Sequence, residues 1–336
     1  MCKGETMVLQ KRQKNILPIL GGIVLVIAFP FLANAVGYTY AITLGCYVEL
    51  YFVAVSGYDI LFGFCGQINM GLAGFYAIGA YGSAILHAYC GVPIVLSMII
   101  ASVAACVVGA ILAYPCAKLQ FHFLTLATIA FGNIINQILS HSPGGITGNF
   151  NGMYTERPEI FGFKLTSNMS YYFFGLVCVA VFIFIKHRVV HSKMGRAFSA
   201  IRDNVKAADG MGINVRLYKM LAFAICAFFT GFAGSMYAHL VGFLSPDTFT
   251  QKQSVLFLTM LIFGGTTSFG GPLIGVVSLM LITESIRAFT GYQTLVYGVI
   301  IILVVVLLPK GVFGEILQLK EKLRTKKKQS ADREAV

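Results

Sequence analysis

The sequence predicts an all-α polytopic membrane protein with about ten membrane segments, some of them broken or re-entrant, and both termini cytoplasmic. Three observations carry this expectation. Of 336 residues, 57% are hydrophobic and 11% are charged, against roughly a quarter charged in a soluble domain. Mean hydropathy is +0.79, and apolar runs near the ~20 residues needed to cross hydrocarbon recur along the chain. Finally, the cations sort by side. Four Lys and Arg precede residue 16, Lys118 follows, eight lie in 186–219 and eight in 310–336; threading ten segments puts all of these inside. Only Arg157, Lys164, Lys252 and Arg287 fall outside, which is the positive-inside bias. The net charge of +12 is therefore a topology signal. It forms no basic face on a folded domain, so no nucleic-acid partner is expected.

Residues 1–15 read as a cytoplasmic N-terminus, 16–309 as the transmembrane domain and 310–336 as a basic cytoplasmic tail. The tail's Lys326–Lys328 run suits an anionic lipid surface. Candidate segments are 16–36, 41–60, 64–88, 92–116, 121–140, 170–186, 217–240, 254–268, 271–289 and 292–309. The first carries Lys11, Arg12 and Lys14 ahead of it and an Ala33-Asn34-Ala35 like a cleavage site. Its length, with Pro18 and Pro30, favours an uncleaved span.

Between Gly57 and Tyr81 glycine recurs at 57, 63, 66, 71, 74 and 79, with Gln67 and Asn69 among them. Small residues let membrane helices pack closely. Alternatively the helix breaks at membrane depth, where irregular backbone must be buried in protein or line a watery path. Gln67, Asn69, Gly71 and Gly74 are candidates for such a path. Residues 121–140 add a polar stripe: Thr125, Thr128, Gly132 and Asn136 fall on one helix face, flanked by Asn133 and Gln137. These side chains serve either interhelical hydrogen bonds or a conduit wall.

Residues 141–169 are rich in Gly, Asn and Pro and read as an irregular outer loop. A second interrupted stretch, Phe263–Pro272, contains Gly264 and Gly265 and cannot continue a plain helix. With the short run 254–268 it leaves two alternatives across 254–289, a broken or re-entrant pair or two plain spans. Interrupted segments in both halves point to a transport path. No Lys-Ser or Lys-Thr follows these glycines at phosphate-loop spacing, so no ATPase site and no cofactor are expected in this chain.

Acids inside spans are functional candidates. Asp59 lies near the expected cytoplasmic interface, and Glu284 is within a turn of Arg287. Glu49 has no such explanation and is what a proton-coupled secondary carrier would need. The eight cysteines form no C-x-x-C pair and read as small hydrophobes. His187 and His191 are four apart without a Cys or carboxylate beside them, so no metal is expected. No nucleophile is paired with a base in any motif, which argues against an enzyme.

The cytoplasmic loop 190–216 departs from the apolar pattern. Phe198, Ile201, Val205 and Ala208 fall at helical spacing, Gly210 and Gly212 are stop signals, and Asn214 can cap the next span. One or two short amphipathic helices follow. They either rest on headgroups or form a lever for a soluble cytoplasmic partner.

Lys206-Ala207-Ala208-Asp209-Gly210-Met211-Gly212-Ile213 resembles the EAA-x-x-x-G loop of ABC-importer permeases. The surroundings resemble one branch, the M-type inner-membrane permeases of branched-chain amino-acid importers. The likeness includes Gly57–Tyr81, Leu126–Gly132, Gly145–Gly152, Gly195–Arg202, Tyr218–Phe223, Phe243–Asp247, Phe263–Pro272 and Leu308–Gly314. It implies an inner-membrane permease subunit paired with a second, related permease. Two cytoplasmic P-loop ATPases would bind the ATP and grip Lys206, Ala207, Ala208, Asp209, Gly210, Gly212 and Ile213. An extracytoplasmic binding protein would deliver the solute. The sequence departs from the family at Leu72, where a His is frequent, and at Lys206, where Glu is usual. Urea, short amides or another small polar solute stay open beside branched-chain amino acids, as does a proton-coupled carrier.

Overall fold

A computed structural model describes residues 26–285 apart from 36, 117–120, 161–162 and 269, together with Leu295, Gly298 and Val299. The start of the first expected span, most of the last and the basic tail lie outside the described residues. Eleven helices follow one another among the described residues. They are α1 (Val26–Ala35), α2 (Thr39–Tyr58), α3 (Leu72–Cys90), α4 (Ile94–Cys116), α5 (Phe121–Ser140) and α6 (Asn168–Val190). Then come α7 (Lys193–Asp203), α8 (Val205–Gly210), α9 (Val215–Val241), α10 (Gln251–Gly264) and α11 (Gly271–Ser285). A π-helical turn, Asp59–Phe64, extends α2. Among the described residues there are also short 3-10 turns and two antiparallel pairs of two-residue strands: β1 (Met153–Tyr154) with β4 (Phe243–Leu244), and β2 (Glu159–Ile160) with β3 (Phe163–Lys164).

Five helical stretches among the described residues are long and apolar enough to cross a membrane: Thr39–Phe64, Ile94–Cys116, Phe123–Ser140, Asn168–Val190 and Val215–Val241. The hub is α9, buried along most of its length against α2, α3 and α4. Its small residues explain the position. A Cβ on Gly234 would collide with the Tyr76 carbonyl oxygen, and one on Gly79 with that of Gly231. The α3 and α9 backbones therefore touch, and Ser235 Oγ donates to the Gly79 carbonyl at 2.9 Å. Lipid tails are as apolar as leucine, so such close packing, rather than burial from water, holds membrane helices together. Along the middle of α4 and α6 the outward-facing residues are apolar, including Val103, Val107, Ile111, Val177, Val181 and Phe184.

Two departures from plain spans matter. The run expected to begin at 64 does not start there, because the chain leaves the helix at Phe64 and resumes it at Leu72. Gly66 turns the backbone at φ +71°, and Asn69 Oδ1 accepts from the Gly71 N–H at 2.8 Å, a local bond that competes with the helix ladder. The 254–268 run begins earlier, at Gln251, and ends earlier, at Gly264. Its 14 residues rise only about 21 Å, short of the ~30 Å hydrocarbon. The chain turns at 265–268 and returns as α11, whose Gly271 and Gly275 touch the α10 backbone.

The segment between α6 and α9 holds two helices with side-chain caps. Ser192 accepts from the Met194 N–H, Asn204 from Lys206 and Ala207, and Asn214 from Leu217. Phe198, Ile201 and Ala208 are buried beneath it. Val205 is not, because Asn204 is extended and restarts the helix on a new phase. Gly210 stays helical, and the reversal falls at Gly212, φ +82°.

Candidate functional site

The interruption at 65–71 is stitched to two other elements. Met70 N–H donates to Thr128 Oγ1 at 3.1 Å, and Ala73 N–H donates to Ser254 Oγ at 2.9 Å. Gln251 Nε2 donates to the Met70 carbonyl at 3.0 Å. Side chains of α5 and α10 thus satisfy backbone groups that the missing helical turn leaves open. A Cβ on Gly71 would collide with the Thr128 carbonyl oxygen, so the segment lies directly on α5.

The 3-10 turn Pro246–Phe249 reaches the same helix further along. Asn136 Nδ2 donates to the Pro246 carbonyl at 2.7 Å and to that of Phe249 at 3.3 Å. Two irregular segments, 65–71 and 246–250, therefore approach along one face of α5 and join where Gln251 meets Met70. Beside them sit the rings of Tyr76, Tyr237, Phe249 and Phe257, with Tyr76 5.4–5.7 Å from the other three. The Asn69 amide nitrogen and the hydroxyls of Tyr58, Tyr76 and Tyr81 are buried without a hydrogen-bond partner. Unpaired donors of this kind can serve a polar solute or water.

Of the path candidates, Asn69, Gly71, Gly74, Thr128 and Asn136 are brought together at this seam, and Gln67 is half-buried next to it. Thr125 lies one turn earlier, its carbonyl accepting from Thr128 Oγ1. Asn133 is exposed on the opposite stripe of α5, with Gln137, Ile134 and Ile138. Gly264 and Gly265 are elsewhere, at the end of α10 against Gly271. Gln251 and Ser254 escaped the sequence reading, although the polar letters at the start of the apolar run could have marked them.

Of the loop candidates, Lys206, Ala207, Asp209, Gly210 and Gly212 are exposed, Ala208 is buried and Ile213 is half-buried. The loop turns Lys206, Asp209 and backbone at Ala207, Gly210 and Gly212 outward, with Val205 and Met211 exposed beside them, while Phe198, Ile201 and Ala208 anchor it.

The three acids have different surroundings, and Arg287, expected beside Glu284, lies outside the described residues. Asp59 is fully buried within the protein at the end of α2 and pairs with Lys186 at 2.8 Å. Lys186, one of the eight cations in 186–219, is thus buried in the protein. Glu49 is buried between α2 and α6, its Oε2 where a Cβ on Gly175 would be, and neither of its oxygens has a hydrogen-bond partner. Glu284 accepts from Tyr40 Oη at 3.1 Å. The His187 and His191 rings stack 4.2 Å apart, and no group of three or more His, Cys, Asp or Glu side chains among the described residues is placed to hold a metal.

Residues 40–308 match the family described as branched-chain amino acid transport system / permease component. The high-affinity branched-chain amino acid transport system permease protein LivM of Escherichia coli (strain K12) is 29% identical, over 86% of this chain and 72% of its own length. A probable branched-chain amino acid transport permease protein LivM of Methanocaldococcus jannaschii is 22% identical, over 79% and 91%. LivH, a permease protein of the E. coli K12 high-affinity branched-chain amino acid transport system, is 25% identical, over 81% and 93%. No solved structure matches the chain.

Proposed function

The chain belongs to the branched-chain amino acid transport permease family, and from that premise we propose that it is a transmembrane permease subunit of an ATP-driven ABC importer for branched-chain or related amino acids. It sits in the inner membrane with both termini cytoplasmic. The α7–α8 segment carries the reading: capped at each step, anchored underneath and exposed on Lys206, Ala207, Asp209, Gly210 and Gly212, it suits the grip of a cytoplasmic ATPase. Two such ATPases bind and hydrolyse the ATP, and an extracytoplasmic binding protein delivers the solute. A second, related permease completes the path. That one E. coli strain has both LivM and LivH as permease proteins of this transport system supports the pairing.

Within this chain the seam of 65–71, α5 and the start of α10 is the path element. Its backbone is irregular where helices would otherwise be continuous. Its neighbours supply amide and hydroxyl donors to a zwitterionic solute, and the Tyr76–Phe257 cluster offers apolar surface to an aliphatic side chain.

Affinity purification from the native membrane tests the reading. Wild-type chain is expected to bring down a second permease and P-loop ATPases. Ala207→Glu and Gly212→Asp are expected to lower ATPase recovery at least tenfold while the second permease still co-elutes. Elution of the chain alone, without ATPase activity, would overturn the proposal. Glu49 separates this mechanism from a proton-coupled carrier. Under the importer reading, Glu49→Gln leaves ATP-dependent uptake within about twofold of wild type, because a buried carboxyl without a partner loses little by becoming an amide. Uptake abolished by this change, and by a protonophore at constant ATP, would favour the carrier.

A further inference from the structure

We infer that Asp59 is a positioning residue that ties the α7 loop to the α10–α11 turn, so that movement of the loop is delivered to both ends of the seam. The inference rests on the reading of α7–α8 as the coupling element.

Three elements converge on this one carboxylate. Asp59 opens the π-helical turn at the end of α2. Its Oδ2 accepts from Lys186 Nζ on α6, shortly before α7 begins, at 2.8 Å. Its Oδ1 accepts from the backbone N–H of Thr267, in the α10–α11 turn, at 2.8 Å. The α7 helix joins at Gly63, four residues on in the same π-turn, whose carbonyl accepts from Arg202 Nη1 at 3.0 Å. A Cβ on Gly63 would collide with Asp59 Oδ1, so the turn is shaped around the carboxylate.

The backbone supports the assignment. Thr267 takes φ +63° although it is not glycine, a conformation that costs a β-branched residue energy and persists only when its surroundings impose it. Here it aims an N–H at Asp59. π-turns inside helices concentrate at functional sites. Asp59 and Lys186 are both buried. Stability alone does not call for them, since an apolar pair of similar volume commonly serves as well or better. What the pair adds is a fixed geometry with a third ligand.

The consequence is a closed mechanical circuit. A displacement of α7 passes through Arg202 and Gly63 into the π-turn, which leads directly into residues 65–71. It also passes through Asp59 to Thr267 and hence to α10, whose opposite end holds Met70 and Ala73 through Gln251 and Ser254. Both walls of the seam are thus driven from one joint.

The test uses the purified importer complex in proteoliposomes and reads solute moved per ATP hydrolysed. Single changes leave one buried charge unpaired and are prone to misfold, so the informative variant is Asp59→Leu with Lys186→Met. It is expected to keep ATPase co-elution and ATP hydrolysis while solute moved per ATP falls at least tenfold. A wild-type ratio in this variant would overturn the inference. A second measurement needs neither coupling nor an ATPase: the distance between spin labels at Arg196 and Ser268 is expected to be single and narrow in wild type. Broad or multiple distances in wild type would also overturn it. If the wild-type chain recruits no ATPase, the coupling-element reading has failed, and the label distance still decides whether the linkage exists.

Discussion

Gly234→Leu is expected to leave no folded permease. At this position α9 meets α3 backbone to backbone, and any Cβ would collide with the Tyr76 carbonyl oxygen. A flexible neighbour could move aside, but a helix carbonyl moves only with its helix. The neighbouring Gly79 and Gly231 are in the same close approach, so α3 cannot slide to a looser register. Overpacking a well-filled core costs about 1–3 kcal/mol. A four-carbon side chain against backbone belongs at or above the top of that range, a large part of the ~5–15 kcal/mol by which a native protein is stable. Size-exclusion of the detergent-solubilised protein checks it: the monodisperse peak is expected to vanish for Gly234→Leu and to persist for Val181→Leu on the outward face of α6. A Gly234→Leu protein with an unchanged peak and melting temperature would mean that α3 does not approach α9 this closely.

Gly71→Ala is expected to stop transport while the assembly survives. The added methyl would occupy the space of the Thr128 carbonyl oxygen and lift 65–71 from α5. The Met70-to-Thr128 and Gln251-to-Met70 bonds would lengthen together, since they share one short segment. No other helix needs to move, so co-elution of the ATPases and the second permease is expected to be unchanged. Uptake is expected to fall at least tenfold. Normal uptake by Gly71→Ala would remove the seam from the path.

Part of this architecture was legible in the sequence for local reasons. Hydropathy located α2, α4, α5, α6 and α9 because each is apolar over its own length. Helical spacing put Thr128 and Asn136 on one face of α5, but it also set Asn133 beside that stripe as a path candidate, whereas Asn133 faces outward. Side-chain caps are local too, which is why Asn214 could be placed at the start of α9. The interruption at 65–71 was legible as one of two alternatives, a helix break or close packing, but the partners that hold it were not. Cys65, Ile68 and Met70 keep the stretch apolar, and the bonds that hold it open come from Thr128 and Ser254, far along the chain. Asp59 and Lys186 are 127 residues apart, and each alone sits near enough to a segment end to pass for an interfacial charge. Val205 failed for a smaller reason: a single extended residue, Asn204, reset the phase on which the spacing argument relied.

The three caps in 190–216 have a further consequence for how such a protein can change over time. Ser192, Asn204 and Asn214 bond to backbone inside the segment itself, and Phe198, Ile201 and Ala208 turn away from its outer surface. The shape of the segment is therefore independent of what stands at Lys206, Asp209 and Met211. Those positions are free to drift in charge and size without disturbing the membrane helices behind them. Where one cell holds several permeases and several motors, this is the part of the key that can be recut to keep each pair matched while the body of the lock stays the same.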